Sequence, residues 1–352
     1  MDNYNNNGQF GGWVQNTGGY YGRPVYNEEL YRKEQEKKKD RKSLKDMGFW
    51  FGSAVNLFVL ISFVISFITS TLVEFFPSLN LIYTDSVASA GFDIIASIVY
   101  ILMPFALVHI VLKTKKLTGV LPFGTSYNGK ASAFLTMAVL PVMMIVSVAI
   151  NYISLIIQES LDITFTSALD DVKIIGLSGF LMSIISTAIL PAIIEETIIR
   201  GIVLQPLRRY GDLFALVISS LLFSIMHGNM VQIPYTFTAG MFFGYVAIAT
   251  GSLWPSIIMH FINNFYAVII MAASDNYSEA SANVVSFMFM GLLIIFGIVG
   301  FVLFRRMNYS VKFAKGIDTL KVSEKIKSFF LNGPMIMAII IMVFMTVATI
   351  EF

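Results

Sequence analysis

A series of apolar runs, each near the length that crosses a lipid bilayer, sets the strongest limit on how this sequence can fold. A helix needs about 20 apolar residues to cross the hydrocarbon core, and its backbone polar groups must be hydrogen-bonded within the segment. The pattern predicts an all-α, polytopic transmembrane helix bundle of about 8–9 spans. The predicted runs are 49–72, 92–112, 133–157, 175–200, 213–229, 235–250, 253–272, 284–304 and 334–350.

The composition agrees with a membrane protein and narrows the chemistry. Hydrophobic residues make up 56% of the chain and charged residues 13%, whereas a soluble domain carries about 25% charged residues. There is no Cys, which excludes thiol catalysis, Cys-zinc sites and disulfide scaffolds. Chemistry that uses histidine must draw on His109, His227 and His260, the three in the chain.

The N-terminal part differs in composition from the rest. Residues 1–27 are rich in Asn, Gly and Tyr and are predicted to be disordered. Residues 28–46 are highly charged and are predicted to form a helix at the membrane surface. The expected organisation is a cytoplasmic tail at 1–46 followed by a transmembrane helical domain at 47–352.

The placement of charges predicts the orientation. If the N-terminus is cytoplasmic, all 24 Lys and Arg residues except Lys173 fall in the tail or in cytoplasmic segments. The opposite segments carry acidic residues instead. Because cytoplasmic loops of membrane proteins are enriched in Lys and Arg, we expect the N-terminus inside and the C-terminus outside.

Three of the later runs contain polar side chains that are costly in a membrane, since a charge at bilayer depth costs about 2.5–3.5 kcal/mol on insertion scales. Each run shows a four-residue spacing, which puts both side chains on one helix face. The pairs are Glu196 with Arg200, Phe223 with His227, and His260 with Asn264. Glu195 points about 100° away from Glu196, so one carboxylate can be structural while the other faces a cavity.

If the polar faces of these three helices converge, they form a pocket suited to hydrolysis. A carboxylate and an imidazole can hold and activate a water molecule, and a second imidazole with an amide can stabilise an oxyanion. Two histidines and a carboxylate at Glu195, His227 and His260 are equally a ligand set that zinc accepts, although the HExxH signature is absent. Taken singly, each pair also fits a structural ion pair, an interfacial histidine or a hydrogen bond between helices.

The ordered motifs EExxxR, FxxxH and HxxxN, read over about 174–272, resemble those of the type II CAAX prenyl endopeptidase and bacteriocin-processing (CPBP or Abi) family of intramembrane proteases. The resemblance implies that Glu195 and His227 activate water, that His260 and Asn264 stabilise the oxyanion, and that Glu196 and Arg200 hold the cavity in shape. It implies catalysis without a cofactor, with zinc at Glu195, His227 and His260 as the alternative.

The expected partners are the lipid bilayer and a membrane-associated peptide or protein substrate, with no nucleic acid. The Asn-rich tail and the charge asymmetry are typical of a multi-pass protein of a bacterial plasma membrane. Two other functions remain open on the sequence: a non-catalytic membrane immunity or adaptor protein, and a proton-coupled transporter in which the buried ionisable groups form a relay.

Overall fold

The computed structural model describes residues 11–12, 25–26, 28–119, 121–165 and 173–351. Ten helices of eight residues or more define the described fold. They are α1 Glu28–Phe75, α2 Ser86–Thr114, α3 Gly129–Leu161, α4 Gly176–Tyr210, α5 Asp212–Ile225, α6 Gln232–Thr250, α7 Trp254–Asn276, α8 Glu279–Arg306, α9 Val322–Phe330 and α10 Gly333–Val347.

Smaller elements join these helices. A 3₁₀ turn at Pro77–Asn80 and a helical turn at Leu81–Thr84 connect α1 to α2. The strands pair antiparallel, two residues each: β1 Gly11–Gly12 with β2 Val25–Tyr26, and β3 Thr164–Phe165 with β4 Ile350–Glu351.

The all-α polytopic fold is confirmed. Two of the nine expected spans, at 213–229 and 334–350, form helices of only 14 and 15 residues. In the described residues, seven helices are long and apolar enough to cross a membrane, and α9 with α10 gives an eighth if this pair, bent by 80°, counts as one span. The run expected at 213–229 forms α5, which has only 14 residues. A helix of that length rises about 21 Å at 1.5 Å per residue, less than the hydrocarbon thickness.

Helix α1 continues the charged segment directly into the first span. It runs for 48 residues without a break between residues 46 and 47, so the segment at 28–46 is helical as predicted. The tail expected to be disordered at 1–27 lies outside the described residues except for the four residues of β1 and β2.

The two ends of the bundle are held by different contacts. At one end, Asp40 of α1 accepts a 2.9 Å hydrogen bond from Arg209, and Lys325 of α9 donates a 2.7 Å hydrogen bond to the Tyr210 carbonyl. Helix α10 starts near this end and leads to β4, which pairs with the strand that follows α3. The first turns of α1 and the strand β4 therefore lie at opposite ends of the bundle.

Candidate active site

A carboxylate pair near the middle of α4 forms the centre of the site. The helix widens by π-type turns at Ile184–Ile189 and again at Thr197–Val203, directly after Glu196; such turns often occur at functional sites. Glu196 and Arg200 are fully buried, and Arg200 Nη1 donates to Glu196 Oε1 at 2.8 Å. The predicted four-residue ion pair is thus present in the structure.

The second terminal nitrogen of the Arg200 guanidinium, Nη2, joins α4 to α6. Arg200 Nη2 donates to the Gly240 carbonyl oxygen at 3.0 Å, and the guanidinium carbon lies 4.6 Å from the centre of the Phe223 ring. A side chain at residue 240 would crowd this contact, because an added Cβ would lie 3.3 Å from Arg200 Nη2. Glycine at this position lets α6 come close enough for its carbonyl to bind the buried charge.

Glu195 has a different environment from its neighbour. Its side chain is 20% exposed and lies on the wall of a cavity of about 190 Å³. The cavity is mostly apolar, and its wall includes His227 and Tyr100 together with Phe58, Ile101, Ile198, Ile199, Phe223 and Met226. The expected division between a buried carboxylate and a cavity-facing carboxylate is present.

His227 lies in the turn between α5 and α6. Its Nδ1 is 2.8 Å from the Phe223 carbonyl oxygen, so Nδ1 carries the hydrogen and Nε2 is left as an acceptor in the neutral ring. The Phe223 ring meets the imidazole edge to face, with centroids 4.9 Å apart. This contact and hydrogen bond fix the imidazole orientation at the cavity.

His260 of α7 connects the two carboxylates. Its Nδ1 lies 3.0 Å from Glu196 Oε1, and its Nε2 lies 3.8 Å from Glu195 Oε2. Because Glu196 already accepts a hydrogen bond from Arg200, it acts as a carboxylate and Nδ1 is the donor. The imidazole stacks on Phe243 with centroids 4.9 Å apart and an interplanar angle of 16°.

Asn264 lies one turn further along α7 and binds the backbone of α4. Its Nδ2 donates to the Thr187 carbonyl oxygen at 3.0 Å, and its Oδ1 accepts from Asn263 Nδ2 at 3.1 Å. It is absent from the residues that line the Glu195 cavity. The described contacts of Asn264 are therefore those of a residue that joins two helices.

Of the polar helix faces predicted from the sequence, those with Glu195 and His227 share a cavity and His260 approaches Glu195, whereas His260 and Asn264 are absent from the lining of that cavity. The short α5 explains how Glu195 and His227 come together. With the span boundaries predicted above, Glu195 and His227 would lie at different depths. In the structure α4 extends to Tyr210, so Glu195 lies near the middle of this helix. Helix α5 ends at Ile225, so the turn that carries His227 lies within the bundle. Tyr100, Phe243 and Gly240 complete the site but gave no distinctive sequence signal, since single aromatic or glycine residues are common in apolar runs.

The zinc alternative names Glu195, His227 and His260 as ligands. The described residues contain no group of three or more His, Cys, Asp or Glu side chains placed to hold a metal ion. The trio of Glu195, His227 and His260 does not form such a group. Within this trio, His260 Nε2 lies 3.8 Å from Glu195 Oε2.

A larger groove lies elsewhere. It has a volume of about 930 Å³ between α1 and α10, and no ionisable side chain lines it. Acid–base chemistry therefore has no groups to use there, and the smaller Glu195 cavity is the candidate active site.

Fold and site together define a polytopic membrane protein with a carboxylate–imidazole centre enclosed by its helices. Residues 177–266, about a quarter of the chain, match the family model described as type II CAAX prenyl endopeptidase Rce1-like. The matched segment contains all six predicted site residues, and the match confirms the resemblance drawn from the three motifs. It supports an intramembrane protease type of function. No curated protein and no solved structure shows a significant match to the chain.

Proposed function

We propose that this protein is an intramembrane endopeptidase that hydrolyses a peptide bond of a membrane-associated protein or peptide. The observation that carries the proposal is the shared cavity of Glu195 and His227, which come from different helical segments and meet where His260 also approaches Glu195. The similarity of residues 177–266 to type II CAAX prenyl endopeptidases supports the same class of reaction.

In the proposed reaction Glu195 acts as the general base. A water molecule held between its carboxylate and His227 Nε2 loses a proton to Glu195 while its oxygen attacks the carbonyl carbon of the peptide bond. The carbonyl oxygen becomes an oxyanion in a tetrahedral intermediate. When the C–N bond breaks, the proton passes from Glu195 to the leaving amine, and a carboxylic acid and an amine are released.

His260 and Asn264 are the proposed donors to the oxyanion. Asn264 Nδ2 carries two hydrogens, and one is used by the Thr187 carbonyl, which leaves the second for substrate. His260 donates from Nε2 when the ring is an imidazolium. Preorganised donors of this kind stabilise developing charge.

Glu196 and Arg200 are proposed to be positioning residues. Their ion pair fixes the Glu196 oxygen that orients His260, and the bond from Arg200 to Gly240 ties α4 to α6. Neither group lines the Glu195 cavity. Their role is to hold the reacting groups at the distances described above.

The proposed setting is a bacterial plasma membrane with the N-terminus in the cytoplasm. The concentration of Lys and Arg residues on one side of the predicted spans supports this orientation. The end of the bundle that holds Asp40, Arg209 and Lys325 would then face the cytoplasm.

The test is cleavage of membrane-anchored peptides by the full chain in lipid nanodiscs. The probes are a farnesylated C-terminal peptide and a set of single-span peptides, with new termini identified by mass spectrometry. We expect new termini with the wild-type chain and none with Glu195→Gln or His227→Ala. Glu159→Gln removes an exposed carboxylate of α3 and is the matched control that should cleave normally. Identical cleavage by wild type and Glu195→Gln would overturn the mechanism.

A further inference from the structure

An unassigned carboxylate, Asp93, lies inside the second membrane helix. It is seven residues from the start of α2 at Ser86, which corresponds to about 10 Å along the helix axis. No ion pair joins it to another of the described residues. Asp93 is exposed at the surface of α2, and it borders a cavity together with residues of α4 and α7, so its surroundings are informative.

Asp93 lies on a small polar cavity between α2, α4 and α7. The cavity has a volume of about 90 Å³, which is room for several water molecules. Half of the ten residues that line it carry a hydroxyl group: Ser86, Ser89, Ser183, Ser186 and Thr187, with Ala90, Ile174, Val268 and Met271 between them. Such a dense set of hydroxyls with a carboxylate offers a water molecule the two to four hydrogen-bond partners that it needs.

The cavity approaches the candidate active site along α4. Thr187 lines the cavity, and its carbonyl oxygen accepts the hydrogen bond from Asn264. Thr187 therefore contacts both the cavity and Asn264, which lies one turn from His260 on α7.

A second line of polar groups runs along α2. Asp93 and Ser97 are spaced by four residues, which places them on one helix face, and Tyr100 follows in the π-type turn at Ile98–Leu102. Tyr100 lines the cavity of Glu195 and His227. Polar side chains of α2 therefore occur at both cavities, Asp93 at one and Tyr100 at the other.

We propose that the Asp93 cavity binds water and supplies it to Glu195 along α2, from Asp93 past Ser97 to Tyr100. The inference rests on the proposed function, because each hydrolysed peptide bond consumes one water molecule. The Glu195 cavity is walled mainly by apolar side chains, which hold little water. A hydroxyl-lined store next to it would refill the position between Glu195 and His227 after each turnover.

The water content of the cavity is tested without reference to activity. The chain has no Cys, so a single introduced thiol gives one S–H stretching band in the infrared spectrum. Ser186→Cys places the thiol on the cavity. Ser147→Cys is the matched control, because Ser147 and Ser186 are both 6% exposed and Ser147 is absent from the cavity wall.

The full chain in nanodiscs is transferred to D₂O, and S–H to S–D exchange is followed. We expect Ser186→Cys to exchange at least about tenfold faster than Ser147→Cys, because the buried control must wait for a local opening of the structure. Equal and slow exchange of the two thiols would overturn the water site. This readout does not depend on whether the chain is a protease.

The link to catalysis is tested with two substitutions of Asp93. Asp93→Leu should slow exchange of the Ser186→Cys thiol and lower kcat for cleavage of the farnesylated peptide by about tenfold with KM unchanged. Asp93→Asn keeps a polar group of the same size and should retain most of the thiol exchange rate and most of kcat. An unchanged thiol exchange rate and an unchanged kcat in Asp93→Leu would overturn the proposal. An equal loss of exchange rate and kcat in Asp93→Asn, together with a lowered thermal unfolding midpoint, would also overturn it, because that result indicates a structural role. Absence of cleavage in every variant, wild type included, would count against the proposed function and not against the water site.

Discussion

Glu195 and Glu196 are adjacent in the chain, yet their carboxylates occupy opposite environments. Glu196 is fully buried, accepts a hydrogen bond from Arg200 and contacts His260, whereas the Glu195 side chain is 20% exposed on a cavity. Successive helix residues point about 100° apart, which is sufficient for this separation. The two substitutions Glu195→Gln and Glu196→Gln should therefore have different consequences.

We expect Glu196→Gln to destabilise the fold and Glu195→Gln to leave it nearly unchanged. The first substitution leaves the Arg200 charge buried without its partner, which costs about 3–5 kcal/mol. The second replaces a 20% exposed side chain by one of nearly the same size and leaves the Glu196–Arg200 pair intact, so we expect a change of about 0.5 kcal/mol or less. Thermal unfolding of both variants in the same detergent measures the difference. Equal midpoints would show that the two carboxylates do not have separate roles.

Arg200→Ala should be more damaging than Arg200→Lys. The alanine variant loses both the 2.8 Å bond to Glu196 and the 3.0 Å bond to the Gly240 carbonyl. Lysine keeps a positive charge near Glu196 but lacks the planar fork that reaches both partners. The yield of folded protein and its unfolding temperature should fall in the order wild type, Arg200→Lys, Arg200→Ala. Indistinguishable lysine and alanine variants would argue against the ion pair.

Gly240→Ala tests how closely α6 must approach Arg200. The added Cβ would lie 3.2 Å from both Phe223 Cδ1 and Ser220 Cβ and 3.3 Å from Arg200 Nη2. Overpacking of this kind costs about 1–3 kcal/mol. Gly291→Ala in α8 is the control, because an added Cβ there meets nothing within 4 Å and alanine favours the helix by up to about 1 kcal/mol. Opposite signs of the change in unfolding temperature are expected, and a stabilised Gly240→Ala variant would contradict the packing.

Single cysteines at two exposed lysines test the orientation. The absence of native Cys means that Lys173→Cys and Lys312→Cys each carry the sole thiol. With the N-terminus inside, an impermeant thiol reagent applied to intact cells should label residue 173, and residue 312 only after permeabilisation. The positive-inside asymmetry is the physical reason. Labelling of both positions from the same side would contradict the proposed topology.

Much of the fold was predictable because membrane helices must be long and apolar. The sequence located most spans within a few residues, and it predicted the Glu196–Arg200 pair because a four-residue spacing fixes helix neighbours. The shortness of α5 was harder to predict, since hydropathy continues beyond Ile225 into the turn that carries His227. Hydropathy reports burial and does not report whether a helix has ended.

The contacts between helices could not be predicted from local spacing. The approach of His260 to both Glu195 and Glu196, its stacking on Phe243 and the bond from Asn264 to Thr187 all depend on how α4, α6 and α7 pack. The Asp93 cavity is a similar case. Asp93 is the second residue of the predicted run at 92–112, and only the structure shows that it lines a cavity together with residues of α4 and α7.

The most direct test of the central claim is the rate of peptide-bond cleavage by wild type and Glu195→Gln in the same nanodiscs, with the farnesylated peptide and the single-span peptides as probes. We expect the wild type to cleave at least one probe. The cleavage rate of Glu195→Gln should be lower by at least about 100-fold, because a general base contributes about 10²–10⁴-fold, and its unfolding temperature should be unchanged. A Glu195→Gln variant that cleaves at the wild-type rate would contradict the central claim.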